Sequence, residues 1–192
     1  ASGLVHRDLS PARFFITERN PGVRGGALIL KVVDFGTAKL VTGEVGEHTV
    51  TTVEGVSPYS APEMLERGAD LDPRVDVWSL GAILYELLCG RPPFGRDIVS
   101  LAIAIRREEP TALSALNPDV SADLESAVHE AIEKDRDQRT PDVLTFARAI
   151  ARFAPLEARH LVDRIRELDG VRPAPAVEDD AIEISQVEVI EE

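Results

Sequence analysis

The spacing of hydrophobic and polar positions changes along the chain and predicts a hairpin followed by helices. Two β-rich runs, 13–17 and 27–35, flank a segment with Pro and Gly residues, which predicts an antiparallel hairpin over residues 13–35. Apolar residues then recur at helical spacing, which predicts helices over residues 61–67, 74–89, 98–107, 122–134 and 141–153. Start signals precede the last two helices, namely Ser121 and the pair Thr140 and Pro141. The predicted fold class is therefore α+β and mostly helical, with one short β-hairpin.

The remaining segments follow other patterns. Residues 36–55 keep no apolar period and are rich in Thr and Gly, which is typical of a long surface loop. In the helix predicted over 74–89, six apolar residues are expected in the core: Trp78, Leu80, Ile83, Leu84, Leu87 and Leu88. We interpret residues 1–153 as the main domain, 154–170 as an additional amphipathic helix and 171–192 as an acidic, disordered tail.

Charge and composition exclude several classes of function. The formal net charge is −13, and no basic stripe of the kind that binds nucleic acid or an anionic membrane is present in the sequence. Seven of the acids lie between Pro173 and Glu192, where there is no base. The single cysteine, Cys89, rules out an intrachain disulfide and fits a reducing compartment. We expect a cytoplasmic protein whose partners are proteins rather than nucleic acids or membranes.

Short motifs occur in an order that identifies a family resemblance. His6-Arg7-Asp8 is followed by Asp34-Phe35-Gly36 after a strand, and then by Ala61-Pro62-Glu63. Two longer stretches, 76–94 and 135–140, resemble the central helix of the large kinase lobe and its late arginine motif. Over residues 3–153 the chain resembles the C-terminal lobe of a eukaryote-like Ser/Thr protein kinase of the bacterial type.

The resemblance implies a role for each matching residue. Asp8 would accept the proton of the substrate hydroxyl, with His6 and Arg7 in the same turn, and Asp34 would hold Mg²⁺ against the phosphates of ATP. Glu63 and Arg139 would form a buried ion pair. Further roles would fall to Asp76, as the acceptor for the backbone of the His6-Arg7-Asp8 turn, and to the candidate phosphorylation sites of an activation loop, Thr49, Thr51 and Thr52.

Three positions depart from the family pattern. Ser10 and Arg13 stand where the family has a lysine and an asparagine, and Val56 stands where it has a threonine. Serine carries no charge to neutralise a transferring phosphoryl group. Arginine has only donors and cannot ligate Mg²⁺ as an amide oxygen does, and valine has no hydroxyl. The family's lysine and threonine would have touched each other and Asp8, so the three changes remove one network. The open alternative is that Arg13 supplies a cation where the metal would lie and leaves slow activity.

No Gly-rich phosphate loop or strand lysine precedes His6 in this sequence. We therefore expect an internal fragment without the N-terminal kinase lobe, which would bind neither ATP nor Mg²⁺ by itself. Two hypotheses stay open for the function. The chain is either the C-terminal lobe of a Ser/Thr kinase, inactive in isolation, or a pseudokinase lobe that binds a protein substrate or signalling partner without transferring phosphate.

Overall fold

Helices are the main regular elements of the part of the chain that the structure describes. The structure is a computed structural model that describes residues 4–18, 28–37, 39–40, 56–95, 97–156, 159, 161–163 and 165. Within these ranges the α-helices are Arg74–Cys89 (α1), Ile98–Arg107 (α2), Leu113–Leu116 (α3), Ala122–Ala131 (α4) and Val143–Ala151 (α5). The α+β, mostly helical fold class is confirmed.

Two small antiparallel ladders precede the helices. Strands β2 (Phe14–Glu18) and β3 (Leu28–Val32) form the predicted hairpin, with Phe14 opposite Val32. A second ladder, which the sequence did not predict, joins β1 (Leu4–Val5) to β4 (Lys39–Leu40). Strands of two residues contain no alternation from which a pattern could be recognised.

Helix boundaries follow the capping groups. Helix α1 ends at Gly90, whose φ of 78° is left-handed and whose N–H bonds to the Glu86 carbonyl at 2.7 Å. The start predicted at Thr140 and Pro141 is wrong, because the Asp142 carboxylate accepts from the Thr145 N–H at 2.7 Å and so places the first turn of α5 after it.

Two other predicted helices are shorter than expected. The segment 61–67 forms only a 3₁₀ helix, Pro62–Leu65, and α4 stops at Ala131 rather than Lys134. The amphipathic helix predicted over 154–170 and the tail 171–192 fall mostly or wholly outside the described residues. None of the helices in the described ranges is long and apolar enough to cross a bilayer.

Helix α1 is the centre of the core. Trp78 is fully buried, and the core around it includes Tyr85, Leu101, Ile105 and Val128. The prediction that Leu87 is a core residue is wrong, because 75% of its surface is exposed. Leu80, Leu84 and Leu88 are partly buried against the core instead of fully buried. The helix is therefore enclosed on most of its circumference, with one apolar position facing outward.

Gly81 sets the close approach of α1 to α4. A Cβ at this position would lie 2.8 Å from the Cβ of Ala131 and 2.9 Å from Cγ2 of Ile132. We expect Gly81→Ala to lower the free energy of unfolding by about 1–3 kcal/mol, the usual cost of overpacking. Helix propensity alone would raise it by about 0.5–1 kcal/mol. Urea denaturation, with Arg107→Ala on an exposed helix position as control, decides between the two signs.

Candidate active site

The turn His6-Arg7-Asp8 is held by a carboxylate on the first turn of α1. Asp76 accepts from the backbone N–H of His6 at 2.7 Å and from that of Arg7 at 2.9 Å. Arg7 has a φ of 67°, a left-handed conformation that is costly for a side chain with a Cβ. Two hydrogen bonds to one buried carboxylate stabilise this conformation. Burial raises the pKa of Asp76, while the two backbone hydrogen bonds oppose that shift.

The ring of His6 connects this turn to the Asp34-Phe35-Gly36 segment. Its Nε2 lies 3.1 Å from the Val33 carbonyl, and its Nδ1 lies 3.3 Å from the Asp8 N–H. A carbonyl can only accept and a backbone N–H can only donate, so these contacts fit the tautomer with hydrogen on Nε2. The ring also packs on Phe35, with 4.8 Å between centroids. The two motifs, 26 positions apart at Asp8 and Asp34, thus belong to one site.

Arg13 bridges the two acids of the site. Its Nη2 lies 2.5 Å from Oδ2 of Asp8, and its Nη1 lies 2.5 Å from Oδ2 of Asp34. The hydrogen bond to Asp8 is the main influence that raises the pKa of Arg13, and the negative charges of Asp8 and Asp34 add to it. All three side chains are partly exposed, so the bridge lies at the surface rather than in the core.

The donor set at this bridge does not fit Mg²⁺. Magnesium requires oxygen ligands in a near-ideal octahedron, usually one or two carboxylates with waters and phosphate oxygens. Here both carboxylates are directed to one guanidinium, which offers hydrogen-bond donors and no acceptor. Within the described residues, no cluster of three or more His, Cys, Asp or Glu side chains could hold a metal ion.

The other two departures are Ser10 and Val56. Ser10 precedes the 3₁₀ helix Pro11–Arg13, where its side chain makes no capping bond while its carbonyl accepts from the Arg13 N–H at 2.9 Å. Val56 is partly buried and packs against the main hydrophobic core. Neither side chain carries a charge, and Val56 also has no hydroxyl. Thr49, Thr51 and Thr52 lie outside the described residues.

Glu63 and Arg139 form the ion pair that the resemblance implies. Nη1 and Nη2 of Arg139 lie 2.6 and 2.9 Å from the two carboxylate oxygens of Glu63. The arginine side chain is fully buried, and its guanidinium lies 5.0 Å from the ring centroid of Trp78. A bidentate pair of this kind fixes the segment at Glu63 to the loop after α4.

Sequence reasoning missed the way in which Tyr59 is held. Ser79 donates its hydroxyl to the Tyr59 carbonyl at 2.9 Å, and the Tyr59 hydroxyl donates to the Glu86 carboxylate. Ser79 and Glu86 are the polar interruptions in the apolar run of α1. Those interruptions were the available signal, because a polar group in a buried helix requires a partner.

Comparison with known proteins agrees with the motifs. The family model for the protein kinase domain matches residues 1–150. The serine/threonine-protein kinase Pkn1 of Myxococcus xanthus is 36% identical over 151 residues, which cover 78% of this chain and 21% of that protein. PknB of Mycobacterium tuberculosis is 39% identical over 140 residues, covering 72% of this chain and 21% of PknB.

A probable serine/threonine-protein kinase of Streptomyces coelicolor is similar to the same degree, at 39% identity over 141 residues. The chain belongs to the protein kinase domain family. Its relatives among bacteria are serine/threonine-protein kinases, and it spans about a fifth of the length of the curated relatives that it matches.

Proposed function

We propose that this chain is the large lobe of a degenerate Ser/Thr protein kinase, a pseudokinase lobe that binds a protein partner and transfers no phosphate. The observation that carries the proposal is the bridge from Arg13 to both Asp8 and Asp34. In an active kinase of this family ATP and Mg²⁺ would meet these two acids. In this chain the same carboxylates are engaged by an arginine.

Two of the departures, Arg13 and Ser10, affect different requirements of the reaction. Arg13 Nη2 lies 2.5 Å from Oδ2 of Asp8, so one of the two oxygens that could accept a proton from a substrate hydroxyl is engaged. Ser10 provides no positive charge for the transferring phosphoryl group. The binding of a metal at Asp34 would require Arg13 to leave. The changes at Ser10 and Arg13 therefore reinforce each other.

The folded scaffold around these residues is intact, which favours a binding role over a decayed remnant. Asp76 still holds the turn, and Glu63 still pairs with Arg139. The partner that we propose is a protein in the cytoplasm, as the acidic charge disfavours nucleic acid and anionic lipid. We further propose that residues 1–153 are the kinase-like part, followed by the amphipathic segment and the acidic tail.

The test is a phosphate-transfer assay on the full-length protein that contains this lobe. We expect no transfer from ATP and Mg²⁺ above the level of the Asp8→Asn variant. The triple variant Ser10→Lys, Arg13→Asn, Val56→Thr should transfer about 10²-fold faster, because positioned acid–base groups contribute on this scale. Each single change should do little, since the groups act as one unit.

Two outcomes contradict the proposal. Transfer by the unmodified protein well above the Asp8→Asn level would show that it is an enzyme. Additive rescue by the single changes would show that the three positions do not form one network.

A further inference from the structure

The guanidinium of Arg13 has the position and the charge of a bound cation. We infer that Arg13 is a resident cation, which lies between Asp8 and Asp34 and excludes a divalent metal ion from Asp34. The inference deepens the proposed function and rests on it. It assigns to Arg13 a positioning role that the loss of an asparagine ligand alone does not imply.

Distances support a single fixed arrangement. One terminal nitrogen contacts each carboxylate, both at 2.5 Å, so the planar group sets the separation of the two Oδ2 atoms. A planar fork loses less conformational freedom per hydrogen bond than a flexible ammonium. The guanidinium therefore joins the turn at Asp8 to Asp34, beyond the end of β3, without any other ion.

The backbone of Arg13 is held as well as its side chain. Its N–H bonds to the Ser10 carbonyl at 2.9 Å, and its carbonyl accepts from the Val33 N–H at 3.0 Å. Its Nε is buried and has no hydrogen-bond partner among the described residues. An unsatisfied buried donor destabilises the structure. Because the guanidinium keeps this position although Nε has no partner among those residues, its contacts with the two carboxylates determine where it lies.

Charge decides against a second cation at the same place. Two ionised carboxylates and one guanidinium leave the cluster of Asp8, Arg13 and Asp34 with one net negative charge. A divalent ion between the same oxygens would also lie within a few ångströms of the guanidinium, where like charges repel strongly. Without Arg13 the pair would carry two negative charges and two sets of oxygen donors, which suits a hard divalent cation.

The position of Asp34 shows what the bridge holds in place. Asp34 has a φ of 65°, again left-handed, and lies two residues after the end of β3 at Val32. The guanidinium contacts Asp34 through one terminal nitrogen and Asp8 through the other. The left-handed conformation of Asp34 is therefore stabilised by a link to the turn that contains Asp8. The arrangement of the two motifs is thereby independent of metal concentration.

The experiment measures Mn²⁺ binding to the full-length protein by electron paramagnetic resonance of the free ion. We expect Arg13→Ala to bind one Mn²⁺ at least about tenfold more tightly than the wild type, because the competing positive charge is gone. Adding Asp34→Asn should abolish that gain. Arg13→Lys should behave like the wild type, because the cation is retained.

Arg152→Ala is the matched control, since it removes an arginine that pairs with Asp123 on the exposed surface. It should leave Mn²⁺ binding unchanged. Wild-type binding of Mn²⁺ that Asp34→Asn removes would overturn the inference, whether or not Arg13→Ala folds. A folded Arg13→Ala variant with no gain would overturn it too. Phosphate transfer by the wild type without bound Mn²⁺ would refute the proposed function and leave this inference standing.

Discussion

Replacing Arg139 by leucine is expected to lower the free energy of unfolding by about 3–5 kcal/mol, the usual cost of breaking a buried ion pair from one side. The Glu63 side chain is only 12% exposed and would lose both of its short bonds to the guanidinium. The same arginine donates to the carbonyls of Arg74 and Glu133, which would also lose a partner. Urea denaturation followed by circular dichroism measures the change.

The double variant Glu63→Leu, Arg139→Leu separates the pair from its surroundings. Removing both charges should recover a large part of the loss, because no uncompensated charge is then buried. Arg152→Ala, which breaks a surface pair whose side chains are at least 60% exposed, should change stability by no more than about 1 kcal/mol. A loss at Arg139 as small as that at Arg152 would contradict the assignment of Glu63 and Arg139 as an anchor.

Asp76→Ala is the second change for which we expect a large effect. The backbone N–H groups of His6 and Arg7 would lose their acceptor, at about 1–3 kcal/mol for each group that stays buried. The left-handed Arg7 would also lose the contact that stabilises it. Amide hydrogen exchange at His6 and Arg7 should accelerate in the variant, whereas Asp119→Ala, on an exposed loop, should leave both rates unchanged.

The pH dependence of the same carboxylate has a definite sign. Burial raises the pKa of Asp76 above its ordinary value of 3.8, so the folded state holds this proton more tightly than the unfolded state. Its contribution to stability is therefore largest at or below about pH 3.8 and falls as pH rises through the folded-state pKa. The free energy of unfolding of the wild type minus that of Asp76→Ala should decrease with rising pH. An increase would contradict the statement that burial affects the pKa of Asp76 more than its two backbone hydrogen bonds do.

Local signals in the sequence were sufficient for the longest elements. The bounds of α1 and α2 agree with the prediction, because a left-handed Gly90 ends the first and Asp97 caps the second at the Ser100 N–H. The hairpin was predictable because its strands and turn residues are adjacent in sequence. In contrast, Leu87 has the hydrophobicity of a core residue, and only the packing of α1 shows that it faces outward.

The bridge at Arg13 depends on a contact that no local pattern contains. The sequence shows that an arginine replaces an asparagine, and one prediction already placed a cation at that position. The sequence does not show that the side chain of Arg13 contacts Asp8 and Asp34 at the same time. That contact requires the hairpin to bring Val33 against Arg13, which is a matter of strand register.

The ladder between β1 and β4 closes residues 6–38 into a loop whose two ends are fastened to each other. His6, Asp8, Arg13 and Asp34 all lie inside it. The entropy lost when the ends of a loop are joined depends mainly on the length of the loop. It depends little on the chemistry of the side chains in it. Partly exposed side chains of the loop, such as Arg13, can therefore change with little effect on α1, whereas Leu9 belongs to the core around α1 and Phe14 packs against it. The buried residues that stabilise the helical body and the partly exposed residues Asp8, Arg13 and Asp34 are therefore different residues, so a change at the bridge need not unfold the body.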